Sequence, residues 1–226
     1  LQMMEHAGRS LAEVALQTLA EVALRVLGRP AKQSRVVVLA GTGGNGGGGI
    51  CAARHLVPRV GEVRLCVTDP DALTGAPRAQ WETYQISHGW KVDPSKLDDL
   101  GIDLVIDAVL GYGLVDAPRG KAREMIEWAN DTPAPVVSLD LPSGIDADTG
   151  EMPGVAIRPR ATLTLALPKA GLARAEVGEL WLADLGIPGA IYRRVGVEYR
   201  SPFGSEFIVP LVRGPRGPGD MRPGAR

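Results

Sequence analysis

Residues 35–57 read RVVVLAGTGGNGGGGICAARHLV: an apolar run, a glycine run and a helix-forming segment in direct succession. Arg35–Ala40 is continuous and β-branched, the pattern of a strand covered on both faces, as in a parallel sheet with helices above and below. Ile50–Val57 has helical composition. Between them, seven of the nine residues from Gly41 to Gly49 are glycine. Without a Cβ, glycine admits unusual backbone angles and lets N–H groups approach an anion. A merely flexible turn is the plain alternative. Loose glycine directly after a central strand costs stability, however, and that cost favours a binding role.

Working outward, further strands are predicted at Val63–Thr68, Asp103–Asp107, Ala134–Asp140, Ala161–Leu167 and Gly178–Ala183, with a helix at Lys121–Asn130. Residues 76–100 are assigned one or two helices and a short strand near Trp90–Val92. Leu1–Leu27 reads as one amphipathic helix ended by Gly28-Arg29-Pro30, and its repeated LAEVAL at 11–16 and 19–24 is helix periodicity. Strands and helices in alternation imply a doubly wound α/β domain with right-handed crossovers. From Arg213 the chain is rich in glycine, proline and arginine, so residues 1–212 are expected as the domain and 213–226 as a disordered tail or linker.

Composition narrows the function classes. The 226 residues suit one domain, and a net charge of −1 gives the whole molecule no pull toward nucleic acid or an anionic membrane. Aromatic residues make up 4%, which argues against a base-stacking platform. No apolar stretch approaches the ~20 residues that span a bilayer. Cys51 and Cys66 fall inside a predicted helix and strand, and with no signal peptide they read as buried thiols of a reducing, cytoplasmic compartment.

The chemistry is carried by strand ends. In doubly wound sheets ligands bind beyond the carboxyl ends of the strands, where strand order reverses. In the usual order strands 35–40 and 103–107 are neighbours and 135–140 lies next to the latter, so three loops meet. Asp107 leads into a glycine-punctuated loop at 108–114, and Asp140 into the stiff turn Leu141-Pro142-Ser143-Gly144-Ile145-Asp146. Either acid alone could equally cap a turn. Two acids converging on a glycine cradle favour a site. Asn45, Asp107 and Ser143 form a hard-oxygen set of low charge that suits a weakly bound hard cation better than zinc or copper. His6, His55 and His88 show no ligand spacing, and no G-x-S-x-G elbow is present. Gly41, Gly43 and Gly46 also satisfy G-x-G-x-x-G, with Asp69 ending the next strand, so a nicotinamide dehydrogenase stays open as a rival; in so glycine-dense a stretch a match is nearly assured.

Five strings then occur together and in order: Met3–Gly8, GTGGNGGGG at 41–49, VIDAVLGYGL at 105–114, SLDLPSGIDADTG at 138–150 and ATLTLALPKAGL at 161–172. The chain, to about residue 195, resembles the YjeF N-terminal family, and the string at 138–150 is the most specific part of the likeness. The resemblance implies a Rossmann-like three-layer α/β/α sandwich with a mostly parallel central sheet, usually a homodimer. It implies epimerisation of the R and S forms of hydrated NADH and NADPH (NADHX and NADPHX), so that an S-specific dehydratase, expected either as a separate partner or fused in the full-length protein, can restore the cofactor. It implies a potassium ion held by Asn45, Asp107 and Ser143. Implied substrate contacts are Gly44, Asn45, Gly46, Gly47, Gly48, Gly111, Tyr112, Gly113, Leu114, Val115, Asp116, Ala117 and Asp140, with Asp140, Asp107 and Lys169 as the catalytic group. Three positions depart from the family pattern: Gly44 replaces Asn, Gly48 replaces Asp, and His6 replaces Asn. The loss of the carboxylate at 48 keeps a second rival open, a non-catalytic binding or scaffold member of the same fold.

Overall fold

In the computed structural model, residues 2–5, 8–9, 30–87, 89–97, 101–114, 116–213 and 221–224 are described. Strand β1 (Arg35–Ala40) is buried from Val36 onward. Helix α1 (Gly44–Leu56), β2 (Glu62–Val67), α2 (Gly75–Gln85), the two-residue β3 (Trp90–Lys91) and β4 (Leu104–Ala108) follow. The chain continues through α3 (Gly120–Asp131), β5 (Val136–Leu139), β6 (Ala161–Leu165), β7 (Glu179–Ala183), α4 (Gly189–Arg194), β8 (Ile208–Arg213) and β9 (Met221–Pro223).

One sheet holds these strands in the order β3-β2-β1-β4-β5-β6-β7-β8-β9. Strands β1 to β7 pair in parallel, while β8 joins β7, and β9 joins β8, antiparallel. Alternation along the strands divides the core. Val36 and Val38 of β1 pack with Ile50 and Leu56 of α1 and with Trp81 and Tyr84 of α2 on one face. Val37 and Leu39 pack with Met125, Ile126 and Ala129 of α3 on the other. A parallel sheet covered on both faces makes the expected three-layer α/β/α sandwich. The order of strands reverses between β1 and β4, so the loops leaving these two strands diverge and open a crevice.

Two expectations change. The helix after the glycine run begins at Gly44, not Ile50, and takes six of the run's residues into its first turns. Glycine's poor helix propensity hides this onset in the sequence; close packing on the sheet overrides it, as described below. Arg213 and residues 221–223, expected in the tail, belong to the sheet, with Leu211 opposite Pro223 and Arg213 opposite Met221. So short a strand is held by backbone pairing and leaves no periodic trace in a Gly/Pro/Arg-rich segment.

Residues 2–5 and 8–9 are helical, and the rest of the helix expected over Leu1–Leu27 lies outside the described residues. Both cysteines are free and buried, and burial pushes each thiol up to about 12. Among the described residues no helix is long and apolar enough to cross a membrane.

Candidate active site

The turn Gly41-Thr42-Gly43 carries the chain from β1 into α1, and close contacts require three glycines of the run, Gly41 in the turn and Gly46 and Gly49 in the helix. A methyl on Gly41 would lie 2.0 Å from the Val109 carbonyl oxygen, and one on Gly46 would lie 1.9 Å from that of Gly41. One on Gly49 would meet the Ala108 Cβ at 2.5 Å. Gly43 caps α1 without a side-chain bond, so the amides of the first turn face the crevice, a favourable place for an anion.

The floor of the crevice is a polar network on Asp107, which is fully buried. One carboxylate oxygen accepts from the Ser138 hydroxyl at 2.8 Å and the Ser143 amide at 2.9 Å. The other accepts from the Ser143 hydroxyl at 2.5 Å and the Val109 amide at 3.2 Å. Burial pushes the Asp107 pKa up, and these four donors act against that shift. Ser143 Oγ in turn accepts from the Leu110 amide at 2.8 Å, and the Leu110 carbonyl accepts from Asn45 Nδ2 at 2.8 Å. The chain Asn45–Leu110–Ser143–Asp107 thus joins α1 to the loops after β4 and β5. Asn45 Oδ1 is buried with no hydrogen-bond partner among the described residues. An orphaned amide oxygen, joined through this chain to a carbonyl, a hydroxyl and a carboxylate, belongs to the kind of donor set a hard cation prefers.

Asp140 stands at the end of β5 with φ of +67°, spanned by a bond from the Leu141 amide to the Leu139 carbonyl at 2.9 Å. This is the rarer, strained form of γ-turn, a conformation that persists where the surroundings over-determine it. Those surroundings are β6 and Lys169. The Asp140 amide donates to the Leu163 carbonyl at 2.7 Å, and its Oδ1 accepts from the Leu165 amide at 3.2 Å and from the Lys169 ammonium. Lys169 also donates to the Leu165 carbonyl at 3.0 Å and to Thr164 Oγ1 at 3.3 Å.

Above this floor lies a cavity of about 790 Å³, reaching from Thr68 after β2 to Leu165 at the end of β6. Of the predicted residues, Gly44, Asn45, Gly46, Gly48, Gly111, Tyr112, Gly113, Leu114 and Asp140 line it. Gly47 does not; it packs against Met4 and Pro77. Asp116 and Ala117 are also off the wall, Asp116 pairing with Arg119 at 3.8 Å and Ala117 packing by Gly154. Val115, like His6, lies outside the described residues. Asp107 and Ser143 sit beneath the wall and Lys169 behind Asp140. Sequence reasoning did not find Met3, Met4, Thr68, Arg119, Lys121, Leu139 or Leu185, which also line the cavity. Arg119 and Lys121 had a signal, since they follow the substrate span at 111–117 directly. Met3 and Met4 also had one, since they open the Met3–Gly8 string, but no substrate contact was assigned there.

Two other clusters resolve structurally. Asp69 Oδ1 accepts from the Asp71 and Ala72 amides at 3.1 and 3.4 Å, so this acid holds a turn and is not on the cavity wall. Glu5, Cys51 and His55 bring ligand atoms within 4.8 Å of one another. The Arg54 guanidinium nevertheless sits on Glu5 at 2.5 Å, and Gln80 Nε2 donates to Glu5 at 2.7 Å, so a cation would have to displace a cation. The cluster fastens the first residues of the chain to α1 and α2.

The chain has known relatives in sequence and in fold. The family model described as YjeF-related protein N-terminus matches residues 1–171. NAD(P)H-hydrate epimerase of Dehalogenimonas lykanthroporepellens is 47% identical over 212 residues, covering 93% of this chain and 83% of that protein. NAD(P)H-hydrate epimerase of Truepera radiovictrix is 35% identical, covering 87% and 84%. The bifunctional NAD(P)H-hydrate repair enzyme Nnr of Hyperthermus butylicus is 38% identical over 83% of this chain but only 35% of its own length. The crystal structure of the yeast protein YNL200c superposes with a TM-score of 0.78 at 23% identity, over 93% of this chain and 89% of that one, a likeness of fold.

Proposed function

The chain belongs to the YjeF-related N-terminal family, and on that premise we propose that its cavity epimerises NADHX and NADPHX, making it an isomerase of nicotinamide nucleotide repair. The observation that carries this reading is Asp140, strained, 9% exposed and backed by Lys169, on the wall of a cavity that the glycine turn also lines.

The chemistry follows from the substrate. The carbon bearing the hydroxyl stands beside the ring nitrogen, whose lone pair helps expel the hydroxyl as water. The resulting iminium is rehydrated from either face, which inverts the centre. A proton must reach the departing oxygen and another must leave the incoming water. Asp140 is the group placed to carry both, and Lys169 holds its carboxylate in orientation. The amides of the first turn of α1 receive the diphosphate, which fixes the ring against Asp140. The residues fit a potassium ion, for which Asn45, Ser143 and Asp107 would be the holding group; when bound, it would supply positive charge beside the diphosphate. We extend the proposal to a homodimer and to a dehydratase that consumes the S epimer.

The test is a coupled assay. The purified protein is given R-NADHX with an S-specific dehydratase, and NADH is followed at its absorbance. The proposal predicts formation of NADH well above the uncatalysed rate. A rate equal to that of dehydratase alone would leave a binding or scaffold member of the fold as the better account.

A further inference from the structure

The two ends of the cavity differ chemically. At one end Asp140 follows β5 and packs, with Lys169, against Thr164 and Leu165 of β6. At the other, Thr68 follows β2; Lys121, at the start of α3, acts through space on Cys66 of β2 and on Asp93 after β3, and Arg119 lines the wall two residues ahead of it. Strands β2 and β6 stand four places apart in the order β2-β1-β4-β5-β6, which at ~4.8 Å per place separates the ends by ~19 Å. Such a span accommodates an extended dinucleotide. With the hydrated ring at Asp140 and the diphosphate over the turn at Gly41–Asn45, the adenosine is directed toward Thr68.

Charge at that far end is positive. Among the described residues of the wall, the charged side chains are Arg119, Lys121 and Asp140, and Asp140 is already met by Lys169. Arg119 has Asp116 at 3.8 Å, a wide and exposed pair that a phosphate can displace. Lys121 acts through space on Asp93, an exposed acid already engaged by the Ser95 amide at 3.0 Å and hydroxyl at 2.7 Å. A carboxylate at the end of β2 commonly takes the ribose diol in such folds, and a cation there takes a 2′-phosphate instead. Here the candidate carboxylate, Asp69, is turned away to hold its own turn, and Thr68 lines the wall in its place.

We infer that Lys121, on the β2 side of the cavity, and Arg119, two residues ahead of it on the same wall, bind the adenosine 2′-phosphate, so that the enzyme favours NADPHX over NADHX. This assignment rests on the epimerase reading and adds its substrate preference.

Initial rates with R-NADPHX and R-NADHX test it in the intact protein, in Lys121→Ala, in Arg119→Ala and in the double variant. The ratio of kcat/KM for NADPHX over NADHX should fall about tenfold for each charge removed, through KM. Calorimetric titration with adenosine 2′,5′-bisphosphate and with AMP should show tighter binding of the bisphosphate, and the double variant should lose that difference. An unmoved ratio, or equal binding of the two nucleotides by the unaltered protein, overturns the assignment. Should the unaltered protein turn over neither substrate, the epimerase reading falls, and the titration still decides whether this end reads a 2′-phosphate.

Discussion

Asp140 combines a backbone angle that few non-glycine residues adopt with a side chain placed on the cavity wall. Asparagine also tolerates a left-handed backbone, so Asp140→Asn keeps the turn and removes the proton carrier. Epimerisation should fall by about a hundredfold or more, while the circular dichroism spectrum and melting temperature stay close to those of the unaltered protein. Retained turnover would remove Asp140 from the mechanism. Glu5 supplies a second residue-scale prediction. Burial alone would raise its pKa, but the Gln80 hydrogen bond and the Arg54 charge outweigh that and bring it from 4.5 to about 2. The folded value lies below the unfolded one, so Glu5 stabilises fully above about 4.5 and loses that contribution as pH falls toward 2. Glu5→Gln should therefore cost about 1 kcal/mol at pH 7, the pair being partly exposed, and urea titrations at pH 3 should show a smaller gap. A gap independent of pH would refute the ionic account of this cluster.

At the scale of elements, α1 shows where local preference and tertiary packing part. Six of its first residues lower its helix propensity, which is why its onset could not be read from the sequence. The strands from β1 to β7 could be read, because Arg35–Ala40 and its neighbours are apolar runs whose pattern needs no tertiary information, whereas β8 and β9 were not among the predicted strands. The glycines differ among themselves. A methyl at Gly44 meets nothing within 4 Å, whereas one at Gly46 collides with backbone. Gly44→Ala should thus be neutral or stabilise by up to about 1 kcal/mol, and Gly46→Ala should destabilise by about 3 kcal/mol. Chemical denaturation of the two variants reads the contrast directly, and equal effects would mean that α1 does not approach the Gly41 turn this closely. At Gly48 a side chain would press on the tip of Leu139, at 2.7 Å. A side chain at the position where the family pattern has a carboxylate would thus require Leu139 to shift in this chain.

For the whole molecule, strand order brings the pieces together. The reversal between β1 and β4 sets Asn45, Asp107 and Ser143 into one hydrogen-bonded chain, although they lie on three separate crossover units. That convergence was legible, since each residue ends a strand or opens a loop on the same rim. The far wall was legible only in part. Arg119 and Lys121 follow the implied substrate span at 111–117, whereas Thr68 is an ordinary surface type whose meaning comes only from the shape of the crevice. Cation binding should register on the whole fold, because it would tie α1 to two loops. Potassium chloride should raise the melting temperature by about 2–4 °C over tetramethylammonium chloride at equal ionic strength, and Asn45→Ala should abolish the difference. The central claim is that this rim expels and returns water at the hydrated carbon of NAD(P)HX. Incubating R-NADPHX with the protein in H₂¹⁸O and weighing the products by mass spectrometry tests it. The account predicts S-NADPHX carrying one solvent oxygen, formed far faster than without protein and lost in Asp140→Asn. An S epimer that keeps its original oxygen, or none above the background rate, would contradict it.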